Sequence, residues 1–334
     1  MTKILTLGES LARLSTQKGS RLSDSTRLHL HYGGAEANVA MNMALLGHDV
    51  KYATKLPKDN GLSDSLAQQL RGYGVDCTEI IYGEGRLGSY YLEVGSGFRA
   101  SNVIYDRKYS TLSMMEENEW DLDALFKDVS IFHITGITLA ISETWHEIGV
   151  ELIHEAKNRG IEISFDMNFR QKMWSYEVAQ AAYEKVLPHV DYLSAGKLDA
   201  IHFMDIPEKE EEEWDYYLKG IAEKYPNIQY LYGTIRNSIN PNSYEMFGYI
   251  WDVKQDKGAI SKQYNNHTVI DRVGSGDSYT AAVLDGIIHE RSLEEIVEFG
   301  MSASALKHTV YGDVNPFSRE EITSFMYNTG DVIR

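Results

Sequence analysis

The residues best suited to do chemistry lie in the run Asp271-Arg272-Val273-Gly274-Ser275-Gly276-Asp277. A strand-like apolar run, Thr268–Ile270, precedes them, and Ala281, Ala282, Val283, Leu284, Ile287 and Ile288 follow at helical spacing. The Gly-Ser-Gly turn is therefore expected just before a helix N-terminus. Glycines let a backbone approach a ligand closely, and the first N–H groups of a helix lack intrahelical partners and can bind an anion. The amides of Gly274, Ser275 and Gly276 can thus stabilise charge developing on a transferred phosphoryl group, and Asp277 can accept the proton of an attacking hydroxyl. The competing reading makes Asp277 a helix cap and the glycines a tight turn. No G-x-x-x-x-G-K-[ST] pattern occurs, so a P-loop site is not expected.

Alternating strands and helices must position this segment. Ile4–Leu7, Val50–Ala53, Ile131–Ile134 and Ile161–Asp166 read as buried strands, with shorter candidates at Tyr192–Ser194 and Tyr230–Gly233. Ala37–Leu46, Ser63–Tyr73 and Thr144–Asn158 read as helices, each with a glycine soon after its end. This rhythm predicts an α/β fold with a predominantly parallel central sheet flanked by helices. Two regions break it. Arg27–Tyr32 alternates, and Leu87–Val94 and Asn102–Tyr105 are strand-like runs near glycines. They predict a small inserted sheet (11–32 and 87–109) acting as a lid on a core made of 1–10, 33–86 and 110–334.

Composition narrows the partners. The chain has 334 residues, 43% hydrophobic and 24% charged, an ordinary globular mix. A formal charge of −17 disfavours nucleic acid and anionic membrane, so an anionic substrate must meet a local basic cluster. One cysteine, Cys77, excludes an intrachain disulfide and a thiolate metal cluster. The start Met1–Leu7 is too short to be a signal peptide, and no apolar run approaches spanning length, so a cytoplasmic protein without membrane contact is expected. The charge run Glu208–Asp215 reads as the solvated start of a surface helix, and His133 and His146 as ordinary core or surface histidines.

Asp271–Asp277 resembles the C-terminal signature D-[TH]-x-G-[AG]-G-D of the PfkB (ribokinase-like) carbohydrate kinases, and Gly33-Gly34-Ala35-Glu36-Ala37-Asn38-Val39-Ala40 resembles their N-terminal di-glycine signature. Gly88–Glu93, Val103–Arg107, Asp166–Arg170 and Ala305–Thr309 with Gly312-Asp313 look like one branch, the 2-keto-3-deoxygluconate (KDG) kinases. The resemblance spans essentially the whole chain. It implies a ribokinase-like fold with Asp277 as base, the Gly274–Gly276 amides as anion hole, and ATP with Mg²⁺ as phosphoryl source. It further implies that Gly33, Gly34, Asn38, Tyr90, Tyr105, Arg107 and Arg170 contact a sugar acid, which would be phosphorylated on its terminal hydroxyl. An arginine fork matches a carboxylate as lysine does not. The bland alternatives are a surface salt bridge for Arg107 and lid packing for the tyrosines, in a chain with 22 of them.

The nucleotide side departs from the family pattern. The usual N-x-x-E appears as Ser194-Ala195-Gly196-Lys197-Leu198-Asp199, leaving Asp199 to act on Mg²⁺ through a water. Asn168, Gly233, Thr234 and Arg236, with Gly274 and Gly276, are the residues expected near ATP. The alternatives are a loop turn for Asn168 and a strand end with an exposed arginine for Tyr232–Arg236. The resemblance also implies a monovalent cation such as K⁺ near Asp271 and Val273, and a homodimer or larger assembly through the lid. Fructose, ribose or a KDG epimer remain as alternative acceptors, and a non-catalytic sugar sensor remains as an alternative of another class.

Overall fold

Short apolar runs become strands because the chain can bury both of their faces at once. The computed structural model describes residues 2–210, 213–240, 243–266 and 269–327. Its strands are β1 (Lys3–Leu7), β2 (Leu11–Ser15), β3 (His29–Gly33), β4 (Asp49–Pro57), β5 (Ile80–Gly83), β6 (Ser89–Glu93) and β7 (Asn102–Asp106). They continue as β8 (Ile131–Thr135), β9 (Glu162–Asp166), β10 (Tyr192–Ser194), β11 (Tyr230–Asn240), β12 (Ser243–Asp252), β13 (Lys257–Ile260) and β14 (Tyr264–Asn266). The large sheet runs β13-β12-β11-β10-β9-β8-β1-β4-β5, with β14 on β12. It is parallel from β11 to β5 and antiparallel from β11 to β13.

Alternation along β1 divides the core. Leu5 and Leu7 pack on one face with Trp145, Ile148 and Leu152 of helix Glu143–Asn158. Ile4 packs on the other with Val39 and Met43 of helix Ala35–Leu45 and with Ala281 and Val283 of helix Ser275–Ile288. Central strands buried on both faces read as unbroken apolar runs, which is why they were recognisable.

The second sheet runs β3-β2-β6-β7. Its register sets His31, Arg13, Tyr90 and Tyr105 in one cross-strand row and Leu30, Leu14, Tyr91 and Ile104 in the next. Neighbouring rows face opposite sides, so the first carries Tyr90 and Tyr105 to the cleft described below.

Three expectations need correction. Val269 and Ile270 are not in a strand: the Ile270 N–H donates to the His308 carbonyl at 2.8 Å instead of joining a ladder, while Thr268 lies outside the described residues. The run Glu208–Asp215 precedes helix Tyr216–Lys224 and does not begin it, with Asp215 at the N-cap and 211–212 outside the described residues. Tyr230–Gly233 is only the first part of a long strand that turns back as β12. Among the described residues no helix is long and apolar enough to cross a membrane.

Candidate active site

A cleft of about 710 Å³ lies between the ends of the parallel strands, the glycine turn and the inner row of the small sheet. Gly274 is the N-cap of helix Ser275–Ile288 at φ 81, a left-handed conformation that favours glycine. A Cβ there would also fall 1.7 Å from the Asp313 carbonyl oxygen. Gly274→Ala is therefore expected to destabilise the fold by about 1–3 kcal/mol from backbone strain alone, and more from the clash. A thermal melt checks this; an unchanged midpoint would refute it.

The first intrahelical bond is from the Ser278 N–H to the Gly274 carbonyl, so the amides of Ser275, Gly276 and Asp277 fall outside the ladder. Ser275 N–H spends itself on the Arg272 carbonyl at 3.3 Å. A Cβ on Gly276 would meet no protein atom, so that residue borders open space. The Asp277 carboxylate does not cap the helix as the alternative reading had it: its Oδ2 accepts a 2.6 Å hydrogen bond from Asn38 Nδ2. Burial pushes Asp277 up to about 7, against the opposing bond from Asn38, with Asp166, Glu36 and Asp313 adding to the rise. Asn38 is oriented in turn by the Gly34 N–H, which donates to its Oδ1 at 3.4 Å. The di-glycine packs tightly: a Cβ on Gly33 would sit 2.3 Å from Asp313 Oδ2, and one on Gly34 2.3 Å from the Glu9 carbonyl oxygen.

The two expected arginines differ. Arg107 lines the cleft but is engaged: its Nε donates to Glu9 Oε2 at 2.7 Å, its Nη2 is ion-paired with the same oxygen, and Ser110 bonds the other. Arg170 is exposed, with Nη1 on the carbonyls of Asn168 (3.4 Å) and Phe169 (3.1 Å). Asn168 takes φ 40, a conformation asparagine tolerates better than most residues. Tyr90 and Tyr105 place their ring centroids 6.3 Å apart, and the Arg107 guanidinium lies 6.0 Å from the Tyr105 ring centre.

Sequence reasoning missed a buried charge cluster behind this wall. Arg13 is 0% exposed and pairs with Asp271 (2.7 Å) and Asp313 (3.0 Å). Asp313 lines the cleft, accepts from the Tyr90 hydroxyl at 3.4 Å, and is pushed up to about 6 by burial despite Arg13. Glu9 was missed as well. Asp271 and Asp313 lie in runs already singled out, but Arg13 and Glu9 join the site over long sequence separations, so no local pattern announces the cluster.

On the nucleotide side the expected residues separate. Arg236 lines the cleft together with Arg272, whereas Gly233 and Thr234 are not among its lining residues. A Cβ on Gly233 would lie 2.4 Å from the Tyr249 hydroxyl, so packing explains that glycine. Asp166 lines the cleft and burial pushes it up to about 6. Asp199 is also pushed up to about 6, by burial and then by the charge of Asp166. It accepts from the Gly196 N–H at 2.9 Å, which ties it to the start of helix Lys197–Phe203.

Among the described residues, no histidine lines this cleft. His133 is fully buried, bonded to Ser164 Oγ at 2.9 Å and pushed down to about 3 by burial. His48, Asp285 and His289 approach one another, but Arg319 already holds both oxygens of Asp285.

Known proteins share this architecture throughout. A PfkB family carbohydrate kinase from Listeria grayi is 42% identical, with a TM-score of 0.93 over 98% of this chain and 100% of that one. A 2-dehydro-3-deoxygluconokinase from Thermotoga maritima is 31% identical, with the same TM-score and coverage. A 2-dehydro-3-deoxygalactonokinase from Haloferax volcanii is 29% identical over 96% of this chain and 95% of its own length. The pattern of the pfkB family carbohydrate kinases matches residues 1–229 and 249–320, and with the ribokinase-like fold this makes the chain a member of that family.

Proposed function

We propose that this carbohydrate kinase transfers the γ-phosphoryl group of ATP to the terminal hydroxyl of a 2-keto-3-deoxy sugar acid, with 2-keto-3-deoxygluconate as the preferred acceptor. The observation that carries the proposal is Asp277, a carboxylate pushed up to about 7, held by Asn38 at a helix N-terminus in one cleft with Arg107 and Arg170. Relatives acting on both the gluconate and galactonate forms support the substrate class.

In this reading the sugar docks against Gly33, Gly34 and Asn38, under Tyr90 and Tyr105, with its carboxylate toward Arg170 and Arg107. Asp277 takes the proton of the terminal hydroxyl as that oxygen attacks the γ-phosphorus. The bond from the γ-phosphorus to its bridging oxygen breaks and ADP leaves. The amides of Gly274, Gly276 and Asp277 donate to the phosphoryl oxygens, while Ser275, its N–H on the Arg272 carbonyl, holds the turn in place. Asn168 and Arg236 border the phosphates, and Gly233 and Thr234 belong to the strand that supports them.

Mg²⁺ fits the donors: two partly buried carboxyls, Asp166 and Asp199, face a shared charge problem that a divalent cation relieves. Asp199, and Asp166 with it, would hold the ion through water, and the ion would neutralise charge on the β- and γ-phosphates.

The small sheet, carried by 11–32 and 87–109 with Gly33 as its last residue, acts as the lid on the core of 1–10, 33–86 and 110–334. Its outer row, with Leu30 and Ile104 exposed, supports pairing of two subunits. The enzyme works in the cytoplasm.

ADP release from MgATP should be measured with KDG, its galactonate epimer, gluconate, fructose and ribose. Turnover confined to the keto-deoxy acids is expected. Preference for fructose or ribose would keep the kinase and overturn the sugar-acid reading.

A further inference from the structure

Lys307 ends helix Leu293–Lys307 and is 0% exposed. Its Nζ donates to the backbone carbonyls of Asp271 and Val310, at 3.3 Å each. A buried ammonium that binds two carbonyls is doing what a bare monovalent cation does when carbonyl oxygens replace its water. The segment it holds leads directly into the glycine turn. Asp271 Oδ1 accepts from the Val273 N–H at 3.1 Å, and Oδ2 accepts from Arg13 (2.7 Å) and from the Gly312 N–H (3.2 Å). Burial, helped by the Arg13 charge, holds the Lys307 ammonium below the usual lysine range, and the carboxylates of Asp271, Asp313 and Asp277 oppose that fall. A helix C-terminus also favours a cation.

The monovalent cation implied near Asp271 and Val273 does not fit this arrangement. It would stand beside two fixed positive groups, Lys307 and Arg13, and compete for an oxygen and a carboxylate they already hold.

We propose that the Lys307 ammonium is a tethered replacement for that cation: it positions the loop carrying Gly274–Asp277 and makes turnover independent of K⁺. The positioning role rests on the reading of that turn as the phosphoryl-transfer site. The melting measurements below do not.

The test uses the full chain in KCl, NH₄Cl, NaCl or choline chloride at equal ionic strength. ADP is quantified directly, so that no coupling enzyme's ion dependence enters, and thermal melts are run in parallel. Wild type should show the same kcat and midpoint in every salt. Lys307→Ala should lose about 10- to 100-fold in kcat in choline, as a misplaced catalytic loop does, with a smaller change in KM for ATP. K⁺ or NH₄⁺ should recover part of both kcat and midpoint, because the truncation leaves room for an ion. Lys307→Met keeps the volume without the charge and should show the loss without the recovery. Three results would overturn the proposal: a wild type that needs K⁺ for turnover or stability, a Lys307→Ala enzyme equal to wild type in choline, or a loss that no cation recovers. The salt-dependence of the wild-type midpoint still decides the matter if the acceptor is misassigned.

Discussion

Asp277→Asn should lower kcat by about 10²- to 10⁴-fold, the usual contribution of a positioned general base, while the protein stays folded. Asparagine has nearly the same shape and keeps an oxygen to accept the 2.6 Å bond from Asn38. The stability effect has a definite sign. The Asp277 pKa is raised to about 7 in the folded protein, so between its unfolded value near 4 and about 7 the folded state holds the proton more tightly. Stability from this group is full below that window and is lost as pH rises through about 7. The amide escapes that loss, so above pH 7 the variant should melt at or above the wild-type temperature. The same pKa predicts the activity profile. Log kcat/KM for wild type should climb with unit slope below about pH 7 and level off above it, because only the carboxylate accepts the proton. The variant should lack that limb. Near wild-type kcat in Asp277→Asn, or a wild-type profile flat from pH 5 to 8, would remove Asp277 from the role.

The parts of this site that were legible in the sequence are those with a local signature. Gly274-Ser275-Gly276-Asp277 announces a helix start because glycines precede an apolar helical stripe, and Gly34–Asn38 does the same at the other end of the chain. Their meeting, 239 residues apart through the Asn38–Asp277 bond, needed the fold. Strands buried on both faces were legible for the same local reason. The β11–β12 hairpin was legible only at its start, because beyond Gly233 the exposed Thr234, Arg236 and Asn237 break the apolar run. Arg13 shows the limit best. In Leu11–Ser15 it looks like the polar residue of an undistinguished segment, yet two carboxylates brought from Asp271 and Asp313 let it sit fully buried in the middle of β2. Lys307 likewise reads as an ordinary helix-end lysine until the carbonyls of Asp271 and Val310 surround it. Gly233 shows the converse: a glycine that resembles a ligand contact also has a packing reason, because a Cβ there would meet the Tyr249 hydroxyl.

The arginines, equivalent in sequence, should separate in kinetics. Arg170 is exposed and its described bonds go only to neighbouring carbonyls, so its guanidinium fork can turn to a carboxylate. A hydrogen bond to a charged group is worth about 1.5–3 kcal/mol, so Arg170→Ala should raise KM for the sugar acid roughly 10- to 150-fold. The uncharged methyl ester of the same acid should lose far less. Arg107 already shares its charge with Glu9, a residue 5% exposed. Truncating Arg107 leaves that carboxylate buried without its partner, which costs about 3–5 kcal/mol of stability when an ion pair is broken from one side. Arg107→Ala should therefore melt lower than Arg170→Ala, and its KM defect should discriminate less between acid and ester. The double variant Glu9→Gln, Arg107→Ala removes both charges and should regain much of the lost midpoint without restoring KM. Equal KM defects for acid and ester in Arg170→Ala would refute the carboxylate anchor and leave the cleft to select its substrate by shape and hydroxyl contacts alone.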